Sequence, residues 1–116
     1  MREIEKKMVA AVVNQTKFKE KNTSVDWDGP AGIVRLHGNP ICLMNRLEGT
    51  FKLSSCGWRT PTTRSRLNAL ATVLNDDVGA RIRDFDLEIS TDGGRTYESM
   101  SWGATDVMKT DVWGDV

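Results

Sequence analysis

The chain has 116 residues, 39% of them hydrophobic and 28% charged. That is enough for one globular domain whose core needs no disulfide framework or structural metal. Its 16 Lys and Arg balance 16 Asp and Glu, which argues against an acidic DNA mimic and against a histone-like positive coat. No apolar run approaches the ~20 residues of a membrane-spanning helix. The charged, amphipathic start from Met1 to Lys7 shows no cleavage pattern, so no secretory signal is expected.

Residues 2–15 read as a helix, because Ile4, Met8, Ala11 and Val12 recur at i, i+4, i+7 and i+8 and form one stripe. Glu3 and Lys7 stand in the favourable i,i+4 orientation. Residues 17–21 form a basic, polar connector. Strand-like stretches follow at 22–27, 33–37 and 41–44, separated by Asp28-Gly29-Pro30 and Gly38-Asn39-Pro40. Glu48-Gly49 turns the chain into 51–55, and three of these four stretches are read as an antiparallel meander. A second helix runs from about residue 60 to Asn75, with Leu67, Leu70, Ala71 and Leu74 on one face. Phe85, Leu87 and Ile89 then alternate with acids as a half-buried strand. Asp92-Gly93-Gly94 turns it back into a partner strand over 96–102.

The predicted order is α-β-β-β-α-β-β, an α+β fold with a small antiparallel sheet and two helices. It is expected to occupy residues 1–104 as a single domain, followed by an acidic tail at 105–116. That tail docks by Trp113 or stays loose.

The neutral total conceals a split. Residues 35–74 carry six basic side chains against Glu48 alone, and residues 75–116 carry ten acids against four basic residues. A basic middle suits a local anion site, although the two segments are equally able to pair across the fold. Cys42 and Cys56 match no zinc spacing and sit in apolar runs, so both are expected as buried free thiols in a reducing compartment. His37 is the lone histidine and is expected to bond turn backbone rather than a ligand. Neither a metal nor a cofactor is expected.

The richest chemistry lies in 57–68, Gly-Trp-Arg-Thr-Pro-Thr-Thr-Arg-Ser-Arg-Leu-Asn. Thr60 is suited to cap the helix with Pro61 at its first position, and Thr62 and Thr63 are alternative caps. Arg59, Arg64 and Arg66 crowd a helix N-terminus, the end where the macrodipole disfavours cations by roughly 0.3–1 kcal/mol each. An external anion would reverse that penalty. Backbone N–H groups, the hydroxyls of Thr60, Thr62, Thr63 and Ser65, the amide of Asn68 and the guanidiniums together suit a phosphate, with Trp58 positioned to stack. The competing reading has the threonines capping, Trp58 filling the core and the arginines pairing with Asp84, Asp86 or Glu88.

Asn22-Thr23-x-Val25, Leu36-His37-Gly38-Asn39 and Gly57-Trp58-x-Thr60-x-Thr62-Thr63-x-Ser65-Arg66-Leu67-Asn68-Ala69 resemble a group of small bacteriophage- and plasmid-encoded proteins. The likeness covers roughly residues 20–75. It implies a viral accessory protein acting in the host bacterial cytoplasm and brings no catalytic role with it. Ser90-Thr91-Asp92-Gly93-Gly94-Arg95-Thr96-Tyr97 resembles the Asp-box of sialidase-type propellers. One copy in a short chain makes it a hairpin turn, not a glycosidase signature.

Three functions follow as expectations. The first is non-catalytic binding of nucleic acid or nucleotide phosphate through Trp58, Arg59, Thr60, Thr62, Thr63, Arg64, Ser65, Arg66 and Asn68. The alternative is inhibition of a host bacterial protein, as an anti-CRISPR or other anti-defence protein. The third, metal-dependent nuclease chemistry on Asp76, Asp77, Asp84 and Asp86, is disfavoured because acids alternating on a strand face are usually solvated. No membrane partner is expected, and a homo-oligomer is compatible with the sequence.

Overall fold

A computed structural model describes residues 1–100 and 104–114. Helix α1 spans Glu3–Asn14. Five strands follow: β1 (Phe18–Glu20), β2 (Thr23–Asp28), β3 (Ala31–Leu36), β4 (Asn39–Asn45) and β5 (Thr50–Leu53). Helix α2 (Pro61–Leu74) precedes β6 (Gly79–Arg83), β7 (Asp86–Ser90), β8 (Glu98–Ser99) and β9 (Met108–Lys109). The fold is α+β. All strand pairs are antiparallel, in a six-stranded sheet ordered β1-β2-β3-β4-β5-β9 and a three-stranded sheet ordered β6-β7-β8.

The meander read as three strands contains five. The basic connector is itself an edge strand, pairing Phe18 with Val25 and Glu20 with Thr23. Gly79–Arg83, to which no element was assigned from the sequence, forms β6 against β7. The predicted return strand over 96–102 is shorter, with Glu98–Ser99 paired to β7, while residues 101–103 lie outside those described. Met108–Lys109, inside the expected tail, pairs with β5.

Register explains the core. Val25, Val34, Cys42 and Leu53 lie opposite one another in one row across four strands, and all are buried. The next row holds Trp27, Gly32, Met44 and Phe51. Met8, Ala11 and Val12 of α1 and Leu67, Leu70 and Leu74 of α2 complete one core with these rows and with Leu87, Ile89 and Met100 of the smaller sheet. Gly32 is required by close approach. A Cβ there would come within 2.6 Å of the Trp27 ring and 2.8 Å of the Met44 methyl.

Several polar residues tie the elements together. Asn68 of α2 grips the free edge of β6, its amide donating to the Ala80 carbonyl at 2.9 Å and accepting the Ala80 N–H at 2.7 Å. At the end of α1, Trp27 Nε1–H donates to the Ala11 carbonyl at 3.4 Å. Trp113 Nε1–H donates to the Val12 carbonyl at 2.9 Å. The two indoles meet edge to face at 5.8 Å. Both carbonyls also accept backbone N–H groups, Ala11 from Thr16 at 3.0 Å and Val12 from Gln15 at 3.4 Å, so the indoles add second hydrogen bonds at the helix end. Glu3 pairs with Lys6 at 3.1 Å, and Lys7 turns instead to Glu20 of β1 at 3.0 Å. The i,i+4 pair expected between Glu3 and Lys7 therefore does not form, because an acid on the neighbouring strand competes for the lysine.

The Asp-box-like segment is a turn between β7 and β8. Asp92 accepts from the backbone N–H groups of Arg95 and Thr96 and from the hydroxyls of Ser90 and Thr96. The Thr96 hydroxyl and N–H lead in lowering its pKa to about 2.

The β6–β7 hairpin closes through Asp84 and Phe85, both left-handed, with φ of 50° and 65°. Two left-handed residues favour Asn-Gly or Asp-Gly, so a bulky aromatic at the second position is strained. Phe85 is 90% exposed and contributes no core packing. Phe85→Gly is expected to stabilise the fold by about 0.5–1 kcal/mol, the relief of left-handed strain offset in part by glycine's backbone entropy. A thermal melt checks this, and a lowered midpoint would show that the ring makes a needed contact.

Candidate nucleic-acid interface

Thr60 caps α2 as expected. Its hydroxyl accepts the Thr63 N–H at 3.1 Å, and Pro61 occupies the first turn. No acid stands in that turn. The predicted footprint does not form one surface, because successive helical residues point about 100° apart and the helix distributes them over three environments.

The first environment is interior. Arg66 is buried, and its Nη1–H donates to Glu5 Oε2 at 2.7 Å. Its Nε–H reaches the Thr23 hydroxyl at 3.1 Å, and Nη2–H reaches the Asn22 side chain at 3.4 Å. Ser65 donates to the same Glu5 oxygen at 2.6 Å. Burial raises the Glu5 pKa, but the hydrogen bonds from Ser65, the Arg2 N–H and Arg66, with the charge of Arg66, outweigh it and hold the carboxyl below its ordinary value. Arg66 and Ser65 thus bond to α1, Asn68 to β6 and Thr63 to the Thr60 cap, while Ser65 and Asn68 also line a groove beside Arg64 and Thr63 also lines a cleft beside Trp58. The arginine's partner lies on α1, not on Asp84, Asp86 or Glu88. Glu88 is instead bound by Arg81 at 2.8 Å.

The second environment is a groove of about 420 Å³ between α1, α2 and β6, where exposed Arg64 lies beside Arg81. Arg81 is already occupied, stacked 3.6 Å over the Tyr97 ring and paired with Glu88.

The third environment is the end of the large sheet where the β1–β2 and β3–β4 turns meet the start of α2. Trp58 is 51% exposed here, not core. Its ring lies 6.4 Å from that of His37 at an interplanar angle of 40°. A cleft of about 380 Å³ runs beside them over a floor of Leu36 and Ile41, with Thr60 and Thr62 on its wall. A β-bulge builds this floor. Val34 pairs with Cys42 and Arg35 with Pro40, which leaves Ile41 as the extra residue. Ile41 and Cys42 are both buried in consequence, and Pro40 occupies a position where its missing N–H disrupts no ladder. His37 and Gly38 form the β3–β4 turn with φ of 52° and 79°. The His37 backbone N–H donates to the Asn22 carbonyl at 2.7 Å, so the expected turn bond is made by the main chain. The ring stays exposed.

A second cleft, about 410 Å³, shares His37 and is lined by Lys19, Lys21 and Ser24. Among the described residues, no acid lines either cleft. Lys19, Lys21, Arg59 and Arg64 make no ion pair among the described residues. Lys19 and Lys21 were missed as site residues. The alternation Lys17-Phe18-Lys19-Glu20-Lys21 has the period of a strand with one basic face, and that signal was available.

Cys42 is buried, and desolvation pushes its thiol pKa well up. Cys56 corrects the expectation of two buried thiols. Strand β5 stops at Leu53, and Cys56 lies beyond it, exposed and left-handed at φ 52°, with Sγ 2.8 Å from the Pro40 carbonyl. Among the described residues no group of three or more His, Cys, Asp or Glu is placed to hold a metal ion. No helix among them is long and apolar enough to cross a membrane.

These features define a small α+β protein with an exposed basic and aromatic end. The model of the Kyanoviridae Gp96 protein family matches residues 1–109, and the chain belongs to that phage family. No curated protein and no solved structure matches it.

Proposed function

We propose that this phage protein binds nucleic acid non-catalytically, through the end of the sheet formed by the β1–β2 turn, the β3–β4 turn and residues 58–62. The observation that carries the reading is a half-exposed tryptophan beside a cleft that adjoins, at His37, a second cleft lined by Lys19 and Lys21, which pair with no carboxylate among the described residues. Exposed aromatics stack on bases, and unpaired Lys and Arg track phosphates. The basic footprint is Lys19, Lys21 and Arg59, with Arg64 on the neighbouring groove. Its setting is the host bacterial cytoplasm, where nucleic acid is abundant.

Fluorescence polarisation with labelled DNA and RNA at low salt tests the reading. Binding is expected to weaken steeply with salt, and Lys21→Ala with Arg59→Ala is expected to lower the salt slope by about one unit per residue without moving the melting temperature. Absence of binding to every oligonucleotide at low salt rules the function out. Added Mg²⁺ is expected to leave the nucleic acid uncut.

A second reading, inhibition of a host protein of the anti-defence type, is favoured by Phe85. It is held exposed at a strained hairpin tip, the form of an anchor that inserts into a partner's apolar pocket. Its mark would be a stoichiometric host partner lost on Phe85→Gly.

A further inference from the structure

The proposed reading leaves open whether the nucleic acid is single-stranded or duplex, and the inference drawn next rests on it. Two clefts adjoin at His37 and differ in chemistry. The Trp58 cleft is floored by Leu36 and Ile41 and walled by threonine side chains, while its neighbour is lined by Lys19 and Lys21. This division matches one nucleotide unit, an apolar ring joined to an anion.

We propose that an unpaired base of a single strand enters the cleft beside Trp58, and that its backbone phosphate lies across His37 in the lysine-lined cleft. A ring sandwiched between two parallel rings needs a gap of about 7 Å, twice the ~3.4 Å stacking rise. His37 and Trp58, 6.4 Å apart and tilted by 40°, approach that spacing as an open wedge. Rotation of either exposed side chain through the 40° between their planes would bring them parallel. Bases within a duplex are stacked and paired and enter such a cleft only if flipped out, so single strands are the preferred ligand. Charge points to the occupant: lysines without acids favour an anion, and Leu36 and Ile41 beside Trp58 favour a planar apolar group.

The test compares four labelled probes at low salt: an oligothymidine of about fifteen nucleotides, an oligouridine of equal length, an abasic strand of equal length and a duplex. At least one base-bearing strand is expected to bind roughly 5- to 150-fold more tightly than the abasic strand, the span of one stacked base. The duplex is expected to bind no better than the abasic strand. Trp58→Leu is expected to abolish the difference while leaving affinity for the abasic strand and the circular dichroism spectrum unchanged. Trp58→Phe restores most of it. Lys19→Ala with Lys21→Ala weakens base-bearing and abasic strands alike.

Equal affinity for base-bearing and abasic strands, tighter binding of duplex, or a base preference that survives Trp58→Leu would each overturn this inference and leave the nucleic-acid reading intact. Failure of all four probes to bind overturns both.

Discussion

Glu5→Ala is expected to destabilise the protein by about 3–5 kcal/mol, because it strands the buried Arg66 guanidinium without its counter-charge. The same change frees the Ser65 hydroxyl and the Arg2 N–H, both of which donate to this carboxylate. Urea unfolding followed by circular dichroism measures the loss, and a cost below about 1 kcal/mol would show that the pair is not the clasp between α1 and α2. Glu5→Leu combined with Arg66→Leu is expected to cost less than Glu5→Ala alone, since no buried charge is then left unpaired. The pair also gives acid sensitivity with a definite sign. Its hydrogen bonds hold the Glu5 pKa below the ordinary value in the folded protein. The contribution is therefore complete above the ordinary carboxylate range and disappears as pH falls through the lower folded value. Glu5→Gln is expected to flatten stability across that acidic interval.

Phe51→Ala is the second large effect, again about 3–5 kcal/mol. The side chain is 1% exposed and lies opposite Met44 on one side and Met108 on the other. Truncation opens a cavity in the core cluster that Phe51 helps to fill, and the surrounding rows, tied by their ladders, cannot collapse to fill it. Phe51→Leu is expected to cost clearly less, because most of the contacts survive. Equal losses for the two variants in chemical denaturation would point to a specific role for the ring.

The helices were legible because their apolar spacing is local. Met8, Ala11 and Val12, and Leu67, Leu70 and Leu74, all enter the core from the predicted stripes. The turns at Gly29, Gly38, Gly49 and Gly93 were legible because each glycine is left-handed there. Strand number was harder to read. Phe18–Glu20 is three residues long and mostly charged, and β9 is two residues long. Both become strands only because β2 and β5 offer them an edge.

The site was legible in part. Thr60, Pro61 and the exposed Trp58 follow from adjacent residues. The burial of Arg66 depends on Glu5, sixty-one positions away, and no local pattern encodes such a partnership. The cleft floor depends on a bulge that appears only once β3 and β4 are in register. His37 looked isolated in sequence because its aromatic neighbour, Trp58, lies across the sheet end.

Segments far apart in the sequence converge on α1. Its first turn is bolted to α2 by Glu5, and its last carbonyls receive the indoles of Trp27 and Trp113. The polypeptide is thereby closed into a loop without a covalent link. Loosening the Trp113 segment is therefore expected to bare the helix that Glu5 anchors to α2, so the two contacts are expected to open together in one unfolding transition.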